Sequence, residues 1–388
     1  MRTVSEGRTA GIALLADMQA EAYANHEGWR YQLDRERDER GRQLNAWRMS
    51  EIGALDLVTH PAPGSDVAAA AKKMLDDANE APPAVDIPTP FQNPNDYRIL
   101  DNLRRRIAVT AERTKVEVPA GVTLGTLPMG DVEARTWPVK GTDQYVVVVR
   151  EGVLSFVHVL GKVLLSAMEV EESDGTARFN ADLDRVAANI ATKPQIAQDF
   201  DTLLDACFTH GNAWYAPHRY PPPSYMEPLG KLIDSGELFV VCHELAHIKL
   251  DHFKPDPARK NRAAELKMPE GIYCEFEADL VGMHDALAVM GANFGGWVRE
   301  AASGIPLLLT GLDLYERARA HYPNAEPSRP DPTHPSYAER RTAIYATWSG
   351  YDMAEELLRG AATIDRVLEM IWSAFEKVRP ALPASAAG

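Results

Sequence analysis

Leu238–Phe253 reads LFVVCHELAHIKLDHF and holds His243, Glu244 and His247 in the order H-E-x-x-H. On an α-helix, residues four apart lie about 40° from each other around the axis, so both imidazoles leave one face a turn apart. That spacing suits two ligands of one zinc ion, and the intervening glutamate is placed to take a proton from water held there. Leu238, Phe239, Val240 and Val241 ahead of the motif, with Leu245, Ala246, Ile248 and Leu250 inside it, predict that this helix is buried and therefore rigid.

A zinc site of this type needs a third protein ligand and leaves one position for water. Ile272–Leu287, IYCEFEADLVGMHDAL, has a second helical pattern and carries Glu275 and Asp279 on one face. The interval from His247 is long enough to finish the first helix, turn and return beside it, which makes Glu275 the natural third ligand. Glu277, about 200° around that helix from Glu275, is expected to face elsewhere.

H-E-L-A-H followed by E-F-E-A-D resembles the gluzincin metallopeptidases, above all the family of CAAX prenyl protease 1 and the HtpX-type peptidases. The resemblance implies Glu275 as third zinc ligand and Asp279 as the carboxylate that orients a ligating histidine. Thr136–Leu154, TWPVKGTDQYVVVVREGVL, resembles the strand and turn ahead of that family's first core helix, and Gly152–Glu169 the helix itself. Thr333–Arg340, THPSYAER, resembles its T-H-P-x-x-x-E-R segment. By that resemblance His334 lies near the active site, as a partner for the oxyanion or for the open metal position, with Tyr337 behind it. A histidine at a helix start with no role in the site is the rival reading. Glu339 and Arg340 are expected to form an ion pair.

Composition bounds the rest. The chain has 388 residues, 45% hydrophobic and 25% charged, ordinary values for a globular protein. Its net charge of −15 and its lack of long basic blocks argue against nucleic acid as a partner. No apolar run approaches the roughly 20 residues that a bilayer-spanning helix requires, unlike membrane-embedded members of the family. The three cysteines, Cys207, Cys242 and Cys274, form no CxxC pair and read as buried thiols in a reducing compartment, so a cytoplasmic location is expected.

Along the chain, residues 1–95 read as a helical N-terminal region with a Pro/Ala-rich linker. The charged stretch Glu27–Met49 suits a solvated or partner-binding helix, and Val67–Asn79 suits a short helix. Residues 96–388 read as a metallopeptidase domain with an insertion at about 170–235. A helix is expected over Tyr97–Arg113, and short strands over Val116–Val118, Val122–Leu127 and Val132–Trp137. Gln144–Val149, QYVVVV, is so continuously apolar that it belongs inside the sheet, leaving an edge strand in 122–137. By the resemblance, such an edge adds the substrate backbone as a further strand. In the insertion, Ala187–Cys207 reads as helical and Thr209–Pro228 as irregular, a candidate lid. His158, His210, His218 and His284 are not expected to touch metal, His252 reads as structural, and Pro255 and Pro257 as helix stops. Further helices are expected over Ala292–Tyr322 and Met353–Val378.

The expected fold is α+β: a mainly helical zincin-like core with a small sheet on the HExxH helix. The expected function is zinc-dependent hydrolysis of peptide bonds in a restricted protein substrate, with Glu244 as base and a regulatory partner possible at the N-terminal region. One alternative is a peptidase that cleaves one cellular protein in defence or stress, similar to Lit-type phage-exclusion peptidases. Another is a non-catalytic zinc-binding module, against which the intact Glu244 argues.

Overall fold

Tyr145–Arg150 (β3) runs between Val122–Leu127 (β1), to which it is parallel, and Ala134–Pro138 (β2), to which it is antiparallel. Its four valines do not alternate with polar residues because both faces of the strand are covered. Val147 and Val149 point into the main core, whereas Val146 and Val148 pack with Leu15 on Val4–Ala24 (α1). The structure is a computed structural model that describes residues 4–25, 88–128, 132–168, 170–173, 176–179, 182–216, 223–294, 302–323, 325 and 333–380.

The two edges of this sheet differ. On β1, Gln92 Oε1 accepts from Thr126 N at 3.1 Å and Gln19 Nε2 donates to Thr126 O at 2.7 Å, so side chains occupy the outer backbone groups there. On β2, the bonds Arg150 N to Glu133 O (3.1 Å) and Val139 N to Gln144 O (2.8 Å) set which residues face β3. By antiparallel alternation Arg135 and Trp137 also face inward, and the backbones of Ala134 and Thr136 face out. Pro138, which has no N–H, closes the strand. Both edges, β1 and β2, fall in the stretch where the sequence placed an edge strand, and β2 is the one whose outer backbone groups are left without side-chain partners among the described residues.

The helices build the rest of a mainly helical α+β fold: Pro94–Thr114 (α2), Glu151–Ala167 (α3), Leu183–Thr192 (α4), Gln195–His210 (α5) and Pro223–Lys249 (α6). Pro257–Glu265 (α7), Glu270–Phe294 (α8), Gly304–Ala318 (α9), Tyr337–Trp348 (α10) and Ala354–Val378 (α11) follow. The expected single helix over Ala187–Cys207 is two, broken at Lys193–Pro194, where the ring cannot continue the hydrogen-bond ladder. Val170–Ser173 and Thr176–Phe179 form an antiparallel hairpin that periodicity did not mark. Val186, Ile196, Phe200 and Leu204, within the stretch read as an insertion, belong to the same apolar core as the HExxH helix. Residues 116–118 are not a strand, and α6 already begins at Pro223 inside the stretch expected to be irregular. Glu27–Met49, Val67–Asn79 and His218 lie outside the described residues, as does most of the linker. Among the described residues no helix is long and apolar enough to cross a membrane.

Candidate metal centre

The site exists because α6 and α8 cross at contact distance. A Cβ built on Gly282 falls 2.7 Å from both the N and the Cα of His243, closer than side-chain contacts allow. Only the absence of a side chain at 282 lets α8 bring Glu275 and Asp279 up to the histidines.

His243 Nε2 and His247 Nε2 are 3.2 Å apart, and the Glu275 carboxylate straddles them, Oε2 lying 3.4 Å from the first and Oε1 3.4 Å from the second. A tetrahedral ion about 2.0–2.1 Å from each donor requires edges of roughly 3.3–3.4 Å, so the donor set fits one zinc-sized cation. The same three residues form the one group with metal-ligand spacing found among the described residues. Two imidazole nitrogens and a carboxylate, converging with little water, repel one another unless a cation stands between them. This buried group can hold a metal ion.

The far side of each imidazole is also fixed. Asp279, wholly buried, accepts from His243 Nδ1 at 3.0 Å, which leaves Nε2 free of a proton for a metal. Arg340, on α10, grips the same carboxylate with two bonds, Nε to Oδ2 at 2.8 Å and a terminal nitrogen to Oδ1 at 2.6 Å. The expected Glu339–Arg340 pair is therefore not formed. Glu339 instead closes a capping box with Ser336 at the start of α10, and the helix turns Arg340 inward to the wholly buried carboxylate of Asp279. Asp279 thus contacts both the His243 ring and the Arg340 guanidinium.

Glu244 is buried, and its Oε2 accepts from the Thr136 hydroxyl at 2.7 Å. The base candidate is thus tied directly to edge strand β2, which forms one wall of a cleft of about 310 Å³ over the histidines. His334 reaches the same cleft, with Nε2 3.4 Å from Glu275 Oε1 and Nδ1 2.9 Å from the Thr333 hydroxyl; its side chain is about half exposed. Tyr337 lines the cleft too.

Electrostatics follow from burial and these partners. Burial and Arg340 both oppose charge on His243, but its bonds to Asp279 and Glu275 outweigh them and raise its pKa to about 9. In metal-free protein a proton therefore takes the cation's place. Burial, then the neighbouring His243 charge, lowers His247 to about 3. Burial opposes ionisation of Glu275, yet the hydrogen bond and charge of His243 hold it well below the usual carboxylate range. Burial raises Glu244, against the pull of His243 and Thr136. A carboxylate raised in this way is a better proton acceptor than an exposed one.

The chain matches no model of a known protein family, no curated protein and no solved structure. The site rests on its own geometry.

The remaining histidines separate cleanly. His158 packs on Trp214 and His210 on Tyr215, while the His284 side chain is exposed. All three cysteines are free and buried. His252 departs from expectation. A continued helix would carry it about 140° away from His247, but α6 ends at Lys249, and the chain reverses so that the two rings meet with Nδ1 atoms 2.9 Å apart. Pro257 is likewise not a stop, since it occupies the first turn of α7 behind an Asp256 cap. Sequence reasoning missed Thr136 and Arg340 as site residues. The spacing of Arg340 from His334 in THPSYAER put it near the site, but nothing in the text showed which carboxylate it would meet.

Proposed function

We propose that this protein is a zinc-dependent endopeptidase of the gluzincin type, with a zincin-like core, acting on a restricted protein substrate. The observation that carries the reading is the triangle of His243, His247 and Glu275 with a buried glutamate, Glu244, beside it and hydrogen-bonded to an open strand edge. Zinc, once bound there, supplies a Lewis acid that lowers the pKa of water and polarises a carbonyl. Zinc is favoured by two imidazoles and a carboxylate in four-coordinate spacing.

The chain's own groups do the remaining work. The outward N–H and C=O groups of Ala134 and Thr136 take an extended peptide as a further antiparallel strand across the cleft. Phe239, Val240, Leu309 and Leu312 make an apolar wall, which suits a bulky aliphatic or aromatic side chain next to the scissile bond. Glu244 accepts the proton of the attacking water and delivers it to the leaving amine, the Thr136 hydroxyl holding the carboxylate in place. His334, on the solvent side of Glu275, is the first donor to the developing oxyanion, with Tyr337 second.

Glu244→Gln preserves shape and removes the base. Cells expressing wild type are expected to accumulate new protein termini that are absent from cells expressing the variant, while purified variant retains about one zinc per chain. Equal numbers of the same new termini from both proteins would refute hydrolysis by this route.

A further inference from the structure

The structure ties His243 to Asp279 and Arg340, but the partner of the other histidine is neither a carboxylate nor a backbone carbonyl. Its Nδ1 meets a third imidazole, that of His252. The turn that makes this contact is built with care. His252 N donates to His247 O at 3.0 Å and Asp251 N to Ile248 O at 3.1 Å, the paired six-to-one and five-to-two bonds of a Schellman motif, with Asp251 in the left-handed region at φ 54°. In that motif the residue after the left-handed position folds back on the one five residues earlier, a contact that usually joins two apolar side chains. Here it joins two imidazoles. Arg259, buried, donates to the carbonyls of Leu250, Asp251 and Lys254 and so holds the reversal closed.

Beyond His252 the chain of groups continues. The His252 side chain is 3% exposed, and its Nε2 is buried 3.5 Å from Glu277 Oε2. Glu277 Oε1 accepts from the Tyr273 hydroxyl at 2.8 Å, and Arg262 Nε donates to the Tyr273 oxygen at 3.1 Å. The order of protons along this chain is dictated from one end. If His247 Nε2 is a metal ligand, its proton sits on Nδ1 and is donated to His252 Nδ1, so the His252 proton sits on Nε2 and points at Glu277.

We propose that His252 and Glu277 are positioning residues for the metal centre, a His247–His252–Glu277 relay that fixes the tautomer and ring orientation of His247 as Asp279 does for His243. This rests on the metal-binding reading above. The imidazole transmits the carboxylate's polarity to a ligand that Glu277, on the far side of α8, cannot reach itself. It also explains why an acidic residue two positions from Glu275 faces away from the metal and still serves it.

The test combines tautomer and affinity. In ¹⁵N-histidine-labelled, zinc-loaded wild type, His247 is expected as the Nδ1–H form and His252 as the Nε2–H form; a His252 carrying its proton on Nδ1 overturns the relay. Zinc affinity, measured by competition with a chromophoric chelator, is expected to fall about 10- to 100-fold in His252→Phe, which fills the space but accepts nothing. It is expected to stay within about threefold of wild type in His252→Asn, whose side-chain oxygen lies near the lost Nδ1. A merely structural His252 would make both variants equally weak or equally strong, and either result overturns the relay. Should His252→Phe fail to fold, the wild-type tautomers and His252→Asn still decide. Wild type that binds no zinc overturns the metal reading itself, whereas tight wild-type binding with an unaffected Phe variant overturns only the relay.

Discussion

Gly282→Ala asks whether helix approach sets the metal site. The added Cβ would stand 2.7 Å from His243 N and Cα and 3.1 Å from Cys242 C, where ordinary contact begins near 3.4 Å. Those are backbone atoms, which cannot rotate aside, so α8 must withdraw by roughly 0.7 Å or tilt. Two effects oppose each other. Alanine in a helix interior is favoured over glycine by about 1 kcal/mol, whereas forcing extra volume into a packed contact costs about 1–3 kcal/mol. The steric term wins, and the metal-free variant is expected to lose about 1 kcal/mol or somewhat more of stability in urea unfolding. The effect on metal should be larger, because ligand distances tolerate only about ±0.2 Å and Glu275 travels with α8. Zinc affinity is expected to fall by about 10- to 100-fold, as when a supporting partner is lost. A variant that gains about 1 kcal/mol and binds zinc like wild type would show that the close crossing does not position Glu275, and the reasoning would be wrong.

Two further perturbations probe buried charge. Arg340→Met leaves the wholly buried Asp279 without its guanidinium, and breaking such a pair from one side costs about 3–5 kcal/mol; a loss under about 1 kcal/mol in denaturant unfolding would contradict the bidentate pairing. Glu237, buried on α6, has its pKa pushed well above the usual range by burial and then by the charges of Asp234 and Asp96, against Arg106. A carboxyl whose folded pKa is raised loses stability as pH climbs above its unfolded value of about 4.3, because the unfolded chain ionises first. Glu237→Gln should therefore raise the melting temperature more at pH 8 than at pH 5, and an equal change at both would argue against a protonated Glu237.

The sequence carried the site further than it carried the fold. His243, Glu244 and His247 were legible because helical periodicity fixes which side chains share a face, whereas Glu275 was legible from the length of the interval after His247 and from the resemblance carried by E-F-E-A-D. The apolar run QYVVVV announced an interior strand, and the four buried valines of β3 answer to it. What periodicity could not give were contacts across the chain. The pairing of Arg340 with Asp279, the Thr136 hydroxyl on Glu244 and the close passage of Gly282 depend on how elements dock. The projected separation of His252 from His247 failed for a different reason: a wheel projection assumes the helix goes on, whereas Asp251 takes a left-handed conformation and reverses the chain two residues past Lys249. The hairpin of Val170–Ser173 and Thr176–Phe179 is too short to leave a clear alternation.

The central claim is a single cation held by three side chains from two helices. Crystals grown with one equivalent of zinc, with diffraction recorded on both sides of the zinc absorption edge, test it most directly. The account predicts one anomalous peak, lost below the edge, about 2.0–2.2 Å from His243 Nε2, His247 Nε2 and a Glu275 oxygen. A map without a peak there, or with the zinc elsewhere and Glu275 unengaged, would contradict it.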